Sequence, residues 1–64
     1  MKFKLEIDCG NAAFGGSVEE RNFEVARILE EQALKLRANS HSTYKVYDYN
    51  GAVVGTVMFI DASR

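Results

Sequence analysis

A chain of 64 residues makes one domain, 1–64, and a domain of this size buries only about 60% of the surface that its unfolded chain exposes. Eight basic and nine acidic side chains are interspersed and give no electrostatic footprint for nucleic acid, and no apolar run approaches the roughly 18 residues of a transmembrane helix. Cys9 is the only cysteine, and a lone thiol without a signal peptide favours a cytoplasmic location.

The chain begins with the alternating segment MKFKLEIDC. Phe3, Leu5, Ile7 and Cys9 fall on one side and charged residues on the other, which predicts a half-buried strand. The next segment, GNAAFGG, has three glycines and predicts a turn, with Phe14 covering one end of the core. Its glycines lack the spacing of a Walker or dinucleotide-binding loop, so we predict no phosphate site there.

A helix is predicted from Val18 to about residue 38. Ser17 and Glu20 form a capping-box pattern at its start. At about 100° per residue an apolar stripe forms, which we expect to be buried against the sheet. The stripe consists of Val18, Asn22, Val25, Ala26, Ile28, Leu29, Ala33 and Leu36. Phe23 and Leu34 lie on its flank, where they either widen the buried face or are exposed.

The strongest local signal is YKVYDYNGAVVGTVMFI, in which the dipeptide Asn50–Gly51 separates two runs of β-branched and aromatic residues. It predicts a β-hairpin with a two-residue loop, because a type I′ turn needs a positive φ at both central positions. Such a loop sets Tyr47 opposite Val54 and Val46 opposite Gly55.

The order strand, helix, strand, strand predicts an α+β fold, β-α-β-β, with a three-stranded antiparallel sheet of order 2-3-1 and the helix packed on one face. The expected helix-side residues are Phe3, Leu5, Ile7, Tyr44, Val46, Val53, Val57 and Phe59. No second layer covers the other face, so we expect an exposed apolar patch there. The partner-binding residues predicted on that face are Lys45, Tyr47, Tyr49, Val54, Thr56, Met58 and Ile60.

The sequence predicts no catalytic, cofactor or metal site. His41 lies between Ser40 and Ser42 without ligand spacing or a nucleophile pattern, and Cys9 faces inward. Tyr47 and Tyr49 on one sheet face resemble a platform for single-stranded bases, but acidic neighbours oppose phosphate binding. An interface core, in which aromatic residues and Met are enriched, is the simpler interpretation.

Three segments together resemble a known family: IDCGNAAF at Ile7–Phe14, EVARILEE at Glu24–Glu31 and YDYNGAVVGTV at Tyr47–Val57. The chain is similar to small phage and prophage proteins that combine an I-D-x-x-N-A-A-F strand end, a V-A-R-I-L helix and a D-x-N-G-x-x-V-G hairpin. The resemblance implies a phage setting and carries no activity to any residue. Very small phage proteins commonly bind host enzymes or defence complexes, including those of CRISPR systems.

We therefore expect a non-enzymatic, cytoplasmic protein that binds a host or defence protein through the uncovered sheet face and possesses no cofactor. A homodimer that buries the same patch is one alternative. A single-stranded nucleic-acid-binding module that uses Tyr47 and Tyr49 is the other.

Overall fold

The computed structural model describes residues 1–38 and 43–61, and of Thr43 only the backbone. The elements in chain order are β1 (Lys2–Ile7), a 3-10 turn (Ala12–Phe14), α1 (Val18–Arg37), β2 (Thr43–Tyr47) and β3 (Val53–Ile60). The strands form an antiparallel sheet in the order β1-β3-β2. The predicted α+β fold and strand order are confirmed.

The helix begins where the capping-box pattern predicts. The Ser17 hydroxyl accepts a hydrogen bond from the Glu20 backbone N–H at 3.1 Å. The Glu20 carboxylate reaches back and accepts from the Gly16 N–H at 2.9 Å. The first bond satisfies a backbone donor that the first helical turn leaves without an intrahelical partner, and the second ties the residue before the N-cap to the helix. The start of α1 is therefore fixed by its local sequence.

The core joins the 3-10 turn, the middle of α1 and the two hairpin strands. Phe14 is almost fully buried, as predicted, and it lies in one cluster with Ile28 and Val57. The buried apolar residues are Ala13, Phe14, Ile28, Val46, Val54 and Val57. Half-buried residues packed around them are Leu5, Ile7, Cys9, Val25 and Tyr44.

The orientation of α1 about its axis differs from the prediction. Its buried residues are Glu24, Ile28 and Gln32, whereas Leu29 and Leu36 of the predicted stripe are exposed. The cause is a polar contact, because Glu24 accepts a hydrogen bond from the backbone of the hairpin turn. This contact directs Glu24 inward and turns the apolar stripe partly toward solvent. Periodicity predicts the helix but not this choice of buried side.

The hairpin exists, but its loop is longer than predicted. The Gly51 N–H donates to the Asp48 carbonyl at 3.0 Å, and the Asp48 N–H donates to the Ala52 carbonyl at 2.9 Å. The loop therefore contains three residues, 49–51, with a positive φ of 86° at Gly51. This arrangement is the common three-residue hairpin, in which a left-handed glycine follows a β-turn. The predicted two-residue loop is wrong.

The longer loop shifts the strand register by one residue near the turn. Val46 lies opposite Gly55, as predicted, but Tyr47 lies opposite Val53. Val54 is the extra residue of this bulge, and it turns into the core while Val53 is 54% exposed. The predicted faces of Val53 and Val54 are therefore both wrong, because a one-residue shift exchanges the two sides of a strand.

Gly55 marks the closest approach between β3 and β1. A Cβ atom at this position would overlap the Glu6 carbonyl oxygen. In an open strand, replacing Gly by Ala removes unfolded-state freedom and stabilises the protein. We expect Gly55→Ala to lower the free energy of unfolding by about 3 kcal/mol or more, measured by urea denaturation. Gly16→Ala is the control, since a Cβ there meets nothing within 4 Å; equal stability of the two variants would contradict the close approach.

The buried side of α1 contains a polar group without a partner. Neither the nitrogen nor the oxygen of the Gln32 amide finds a hydrogen-bond partner among the described residues, although the residue is 2% exposed. An unpaired buried polar group is costly, so we expect Gln32→Leu to raise the free energy of unfolding by about 1 kcal/mol. Thermal denaturation measures the change, with Glu30→Leu on the exposed side as the control. A destabilised Gln32→Leu protein would show that the amide has a polar partner.

Candidate functional site

The face of the sheet away from α1, called here the outer sheet face, is mixed rather than apolar. Four of the predicted partner-binding residues lie on it: Lys45, Thr56, Met58 and Ile60. The register sets Lys4 of β1 opposite Met58 and Glu6 opposite Thr56, and the two charged side chains pair at 3.7 Å. The outer sheet face is therefore less apolar than the sequence predicts.

The other three predicted residues are placed differently. Val54 is 7% exposed and belongs to the core. Tyr47 lies at the free edge of β2, where the Lys35 ammonium approaches its ring centroid to 6.0 Å. Tyr49 lies in the hairpin turn and faces the N-terminal half of α1. The predicted patch is thus divided between the core, the sheet edge and the turn.

This division removes the aromatic platform expected for single-stranded bases. Tyr47 and Tyr49 do not lie side by side on the outer sheet face, because the bulge and the three-residue loop separate them. Tyr49 instead lines a space that also contains the carboxylates of Glu19 and Glu20. Negative charge beside the ring opposes a nucleic-acid backbone.

Exposed large apolar side chains lie both on α1 and on the sheet with its hairpin. Phe23 is 78% exposed and Leu34 is 68% exposed, so both residues of the flank lie outside the core. The exposed members of the predicted stripe are Val18, Leu29 and Leu36. On the sheet and hairpin, Phe3, Tyr47, Tyr49, Val53, Phe59 and Ile60 are also exposed. The exposed apolar surface is therefore divided between the helix and the sheet with its hairpin, and is not confined to the outer sheet face as predicted.

Phe23 and Tyr49 line a cleft of about 640 Å³ between α1, the 3-10 turn and the hairpin turn. We call it the helix–hairpin cleft. Its lining residues are Ala12, Ala13, Gly15, Glu19, Glu20, Phe23, Glu24, Arg27 and Tyr49. Its apolar surface comes from two aromatic rings and small side chains, and its charged groups are mostly acidic.

An ion pair and its hydrogen bonds hold the two sides of the cleft together. The Arg27 guanidinium donates to both carboxylate oxygens of Glu24, at 2.8 and 2.9 Å. One of those oxygens also accepts from the Tyr49 backbone N–H at 2.9 Å, and Arg27 donates to the Tyr47 carbonyl at 3.2 Å. A fork-to-fork pair of this kind fixes direction as well as distance. It therefore anchors the hairpin turn on the helix.

A second carboxylate organises the turn itself. Asp48 is buried, and one of its oxygens accepts from the backbone N–H groups of Asn50 and Ala52, both at 2.9 Å. The other oxygen accepts from the Asn11 side-chain amide at 2.8 Å. Asn11 in turn accepts from the Ala13 N–H at 2.8 Å and caps the 3-10 turn. Asp48 thus links the hairpin turn to the segment that follows β1.

These contacts fix the charge states around the cleft. The hydrogen bonds from Arg27 lower the pKa of Glu24 below its ordinary value of 4.5, against the effect of desolvation. The Ala52 N–H, followed by Asn11 and other backbone N–H groups of the turn, lowers the pKa of Asp48 below 3.8. The Gly16 N–H and Ser17 lower the pKa of Glu20 in the same way. All three carboxylates are anionic at neutral pH.

The Glu20 carboxylate lies at the positive end of the helix, where it accepts from the Gly16 N–H and the Ser17 hydroxyl. Within residues 1–38 and 43–61, no group of three or more His, Cys, Asp or Glu side chains is placed to hold a metal ion. Ser40, His41 and Ser42 lie outside the described residues. Cys9 is half-buried, with its Sγ atom 4.0 Å from the Ile7 carbonyl oxygen.

Tyr49 is the one cleft residue among the predicted partner-binding residues, and Phe23, the other aromatic residue of the cleft, was not assigned to a site. In the sequence, Phe23 lies between Asn22 and Glu24, off the apolar stripe of the helix. This position does not decide whether its side chain is buried or exposed. Only the rotation of α1 by the Glu24 contact places it beside Tyr49.

No helix in the described part of the chain is long and apolar enough to cross a membrane. No family model, curated protein or solved structure matches the chain. The resemblance to phage proteins stays a prediction that rests on the three sequence segments.

The two turn-binding carboxylates predict loss of stability in acid. Folding lowers the pKa values of Glu24 and Asp48. Their contribution to the free energy of unfolding is therefore complete at pH values above their ordinary pKa values of 4.5 and 3.8. It is lost as the pH falls through those values toward the lower pKa values of the folded state. Urea denaturation between about pH 7 and about pH 2 should show this fall. The Asp48→Asn protein should be less stable than the wild type at neutral pH, and its free energy of unfolding should fall less as the pH is lowered. The control Glu30→Gln should follow the wild type. Parallel curves of stability against pH for all three proteins would contradict the assignment.

Proposed function

We propose that the protein is a non-enzymatic protein-binding module, and that the helix–hairpin cleft receives an apolar side chain of its partner. The observation that carries this proposal is the exposure of Phe23 and Tyr49, 78% and 62%, across one cleft. Aromatic side chains in a concave site with a polar rim are typical of the residues that dominate protein interfaces.

The charges at the rim of the cleft favour a partner segment that carries positive charge next to its inserted apolar side chain. Glu19 and Glu20 contribute negative charge to the lining of the cleft, whereas the positive charge of Arg27 is balanced by Glu24. A Lys or Arg beside the inserted side chain complements this field and steers the approach. An acidic segment, or a nucleic-acid backbone, is repelled.

The protonation states favour binding over proton transfer. A general acid or base works best with a pKa near the operating pH. The pKa values of Glu20 and Glu24 are instead lowered, and both carboxylates are engaged in hydrogen bonds that hold the helix start and the turn. We therefore assign them a structural and electrostatic role in the cleft.

The outer sheet face with Lys45, Thr56, Met58 and Ile60 is a second, more polar surface. Self-association through it stays a prediction, as does the expectation that the partner is a host or defence protein such as a CRISPR complex. The cytoplasmic location stays a prediction as well.

A peptide-display selection tests the proposal without a known partner. Random peptides are selected on the wild-type protein and counter-selected on Phe23→Ser/Tyr49→Ser, which keeps its fold because both side chains are largely exposed. We expect enriched peptides to place an apolar residue next to Lys or Arg and to bind the double variant at least about tenfold more weakly. Titration calorimetry measures the affinities.

Leu34→Ser is the matched control, since Leu34 is 68% exposed on α1 but does not line the cleft. It should bind the selected peptides as the wild type does. NMR shift changes on peptide binding should map to Gly15, Phe23, Arg27 and Tyr49. Shifts centred on Lys45, Thr56 and Ile60 would move the binding site to the outer sheet face, and equal binding by the double variant would overturn the proposal.

A further inference from the structure

The edge of β1 carries backbone groups that can form hydrogen bonds. The Asp8 N–H donates to the Val54 carbonyl at 2.7 Å, so residue 8 directs its backbone toward β3. Because backbone groups in an antiparallel strand alternate between its two sides, Phe3, Leu5 and Ile7 direct their N–H and C=O groups away from β3. Among the described strands, β1 pairs with β3 alone.

At the opposite edge of the sheet, one outward acceptor of β2 is already occupied. Arg27 donates to the Tyr47 carbonyl at 3.2 Å, so α1 lies against this end of the β2 edge. On the β1 edge, the Ile7 carbonyl has only a weak contact, with the Cys9 Sγ atom at 4.0 Å. Among the described strands, β1 has a neighbour on one side only, so a further strand can add beside it.

The charges along β1 are complementary to those of a second, antiparallel copy. Lys2, Lys4, Glu6 and Asp8 alternate with apolar residues, two positive charges followed by two negative ones. When two copies pair antiparallel about Leu5, Lys4 lies opposite Glu6 and Lys2 lies opposite Asp8. Each of the four charged pairs in the dimer then joins opposite charges, which stabilises cross-strand neighbours.

The same pattern selects this register over its neighbours. A shift by two residues in one direction sets Lys4 opposite Lys4 of the second copy, and a shift in the other direction sets Glu6 opposite Glu6. A shift by one residue would exchange the apolar and charged sides of the strand. A strand edge protected from self-pairing carries repelling charges, whereas this one attracts its own copy.

In the same register, the second copy buries part of the apolar side of β1. Leu5 lies opposite Leu5 of the second copy, and Phe3 lies opposite Ile7. In the single chain Phe3 is 47% exposed and stacks on Phe59 at a centroid distance of 5.1 Å, while Leu5 and Ile7 are half-buried. Pairing therefore buries side chains that the helix leaves partly uncovered.

We propose that the protein forms a homodimer in which two β1 strands pair antiparallel about a two-fold axis at Leu5. The two sheets become one sheet of six strands with both helices on the same side. The helix–hairpin cleft lies beside the β2–β3 turn and stays open in each copy, so dimerisation is independent of the proposed protein binding.

Charge-reversed variants test the register. Lys4→Glu and Glu6→Lys each place like charges opposite each other at two sites in their own dimers, and each should dimerise about tenfold more weakly than the wild type. An equimolar mixture of the two variants restores opposite charges at both sites. We expect the mixture to form a heterodimer with wild-type affinity, measured by sedimentation equilibrium.

Lys45→Glu and Glu30→Lys are matched controls with the same charge changes elsewhere, and each alone should dimerise as the wild type does. Circular dichroism checks every fold. If a single variant does not fold, the double variant K4E/E6K, which restores every pair, should still dimerise as the wild type does. A wild-type protein that stays monomeric to about 1 mM, single variants that dimerise with unchanged affinity, or weakening by Lys45→Glu would overturn the proposal.

Discussion

Two carboxylates that bind the hairpin turn, Glu24 and Asp48, hold the rest of this small protein in place. Asp48 accepts from the turn it belongs to and from Asn11, and Glu24 accepts from Tyr49 while paired with Arg27. The helix, the segment after β1 and the hairpin meet at these groups. A domain with few fully buried apolar side chains therefore depends on directional polar contacts to choose one arrangement.

The same contacts explain where the exposed aromatic side chains of the cleft lie. Burial of Glu24 turns α1 so that Phe23 faces the hairpin turn and Leu29 faces solvent. The three-residue loop brings Tyr49 toward the helix, and the bulge takes Val54 into the core. The exposed apolar surface expected from the sequence is therefore present, but the polar contacts divide it among the helix, the cleft and the sheet.

The three sequence segments on which the predicted resemblance rests contain the members of this polar arrangement. Asn11 lies in the first, Glu24 and Arg27 in the second, and Asp48 in the third. Their side chains join the hairpin turn to the helix and to the segment after β1.

The sequence by itself determined the elements, their order and much of the register, because alternation, helical periodicity, the capping box and the Asn50–Gly51 turn signal act over a few neighbouring residues. It also contains the charge pattern of β1. Only the tertiary structure decided the buried side of α1, the loop length and the faces of Val53 and Val54. Those outcomes depend on hydrogen bonds between residues far apart in the chain, such as Asn11 with Asp48 and Glu24 with Tyr49, which local patterns do not specify.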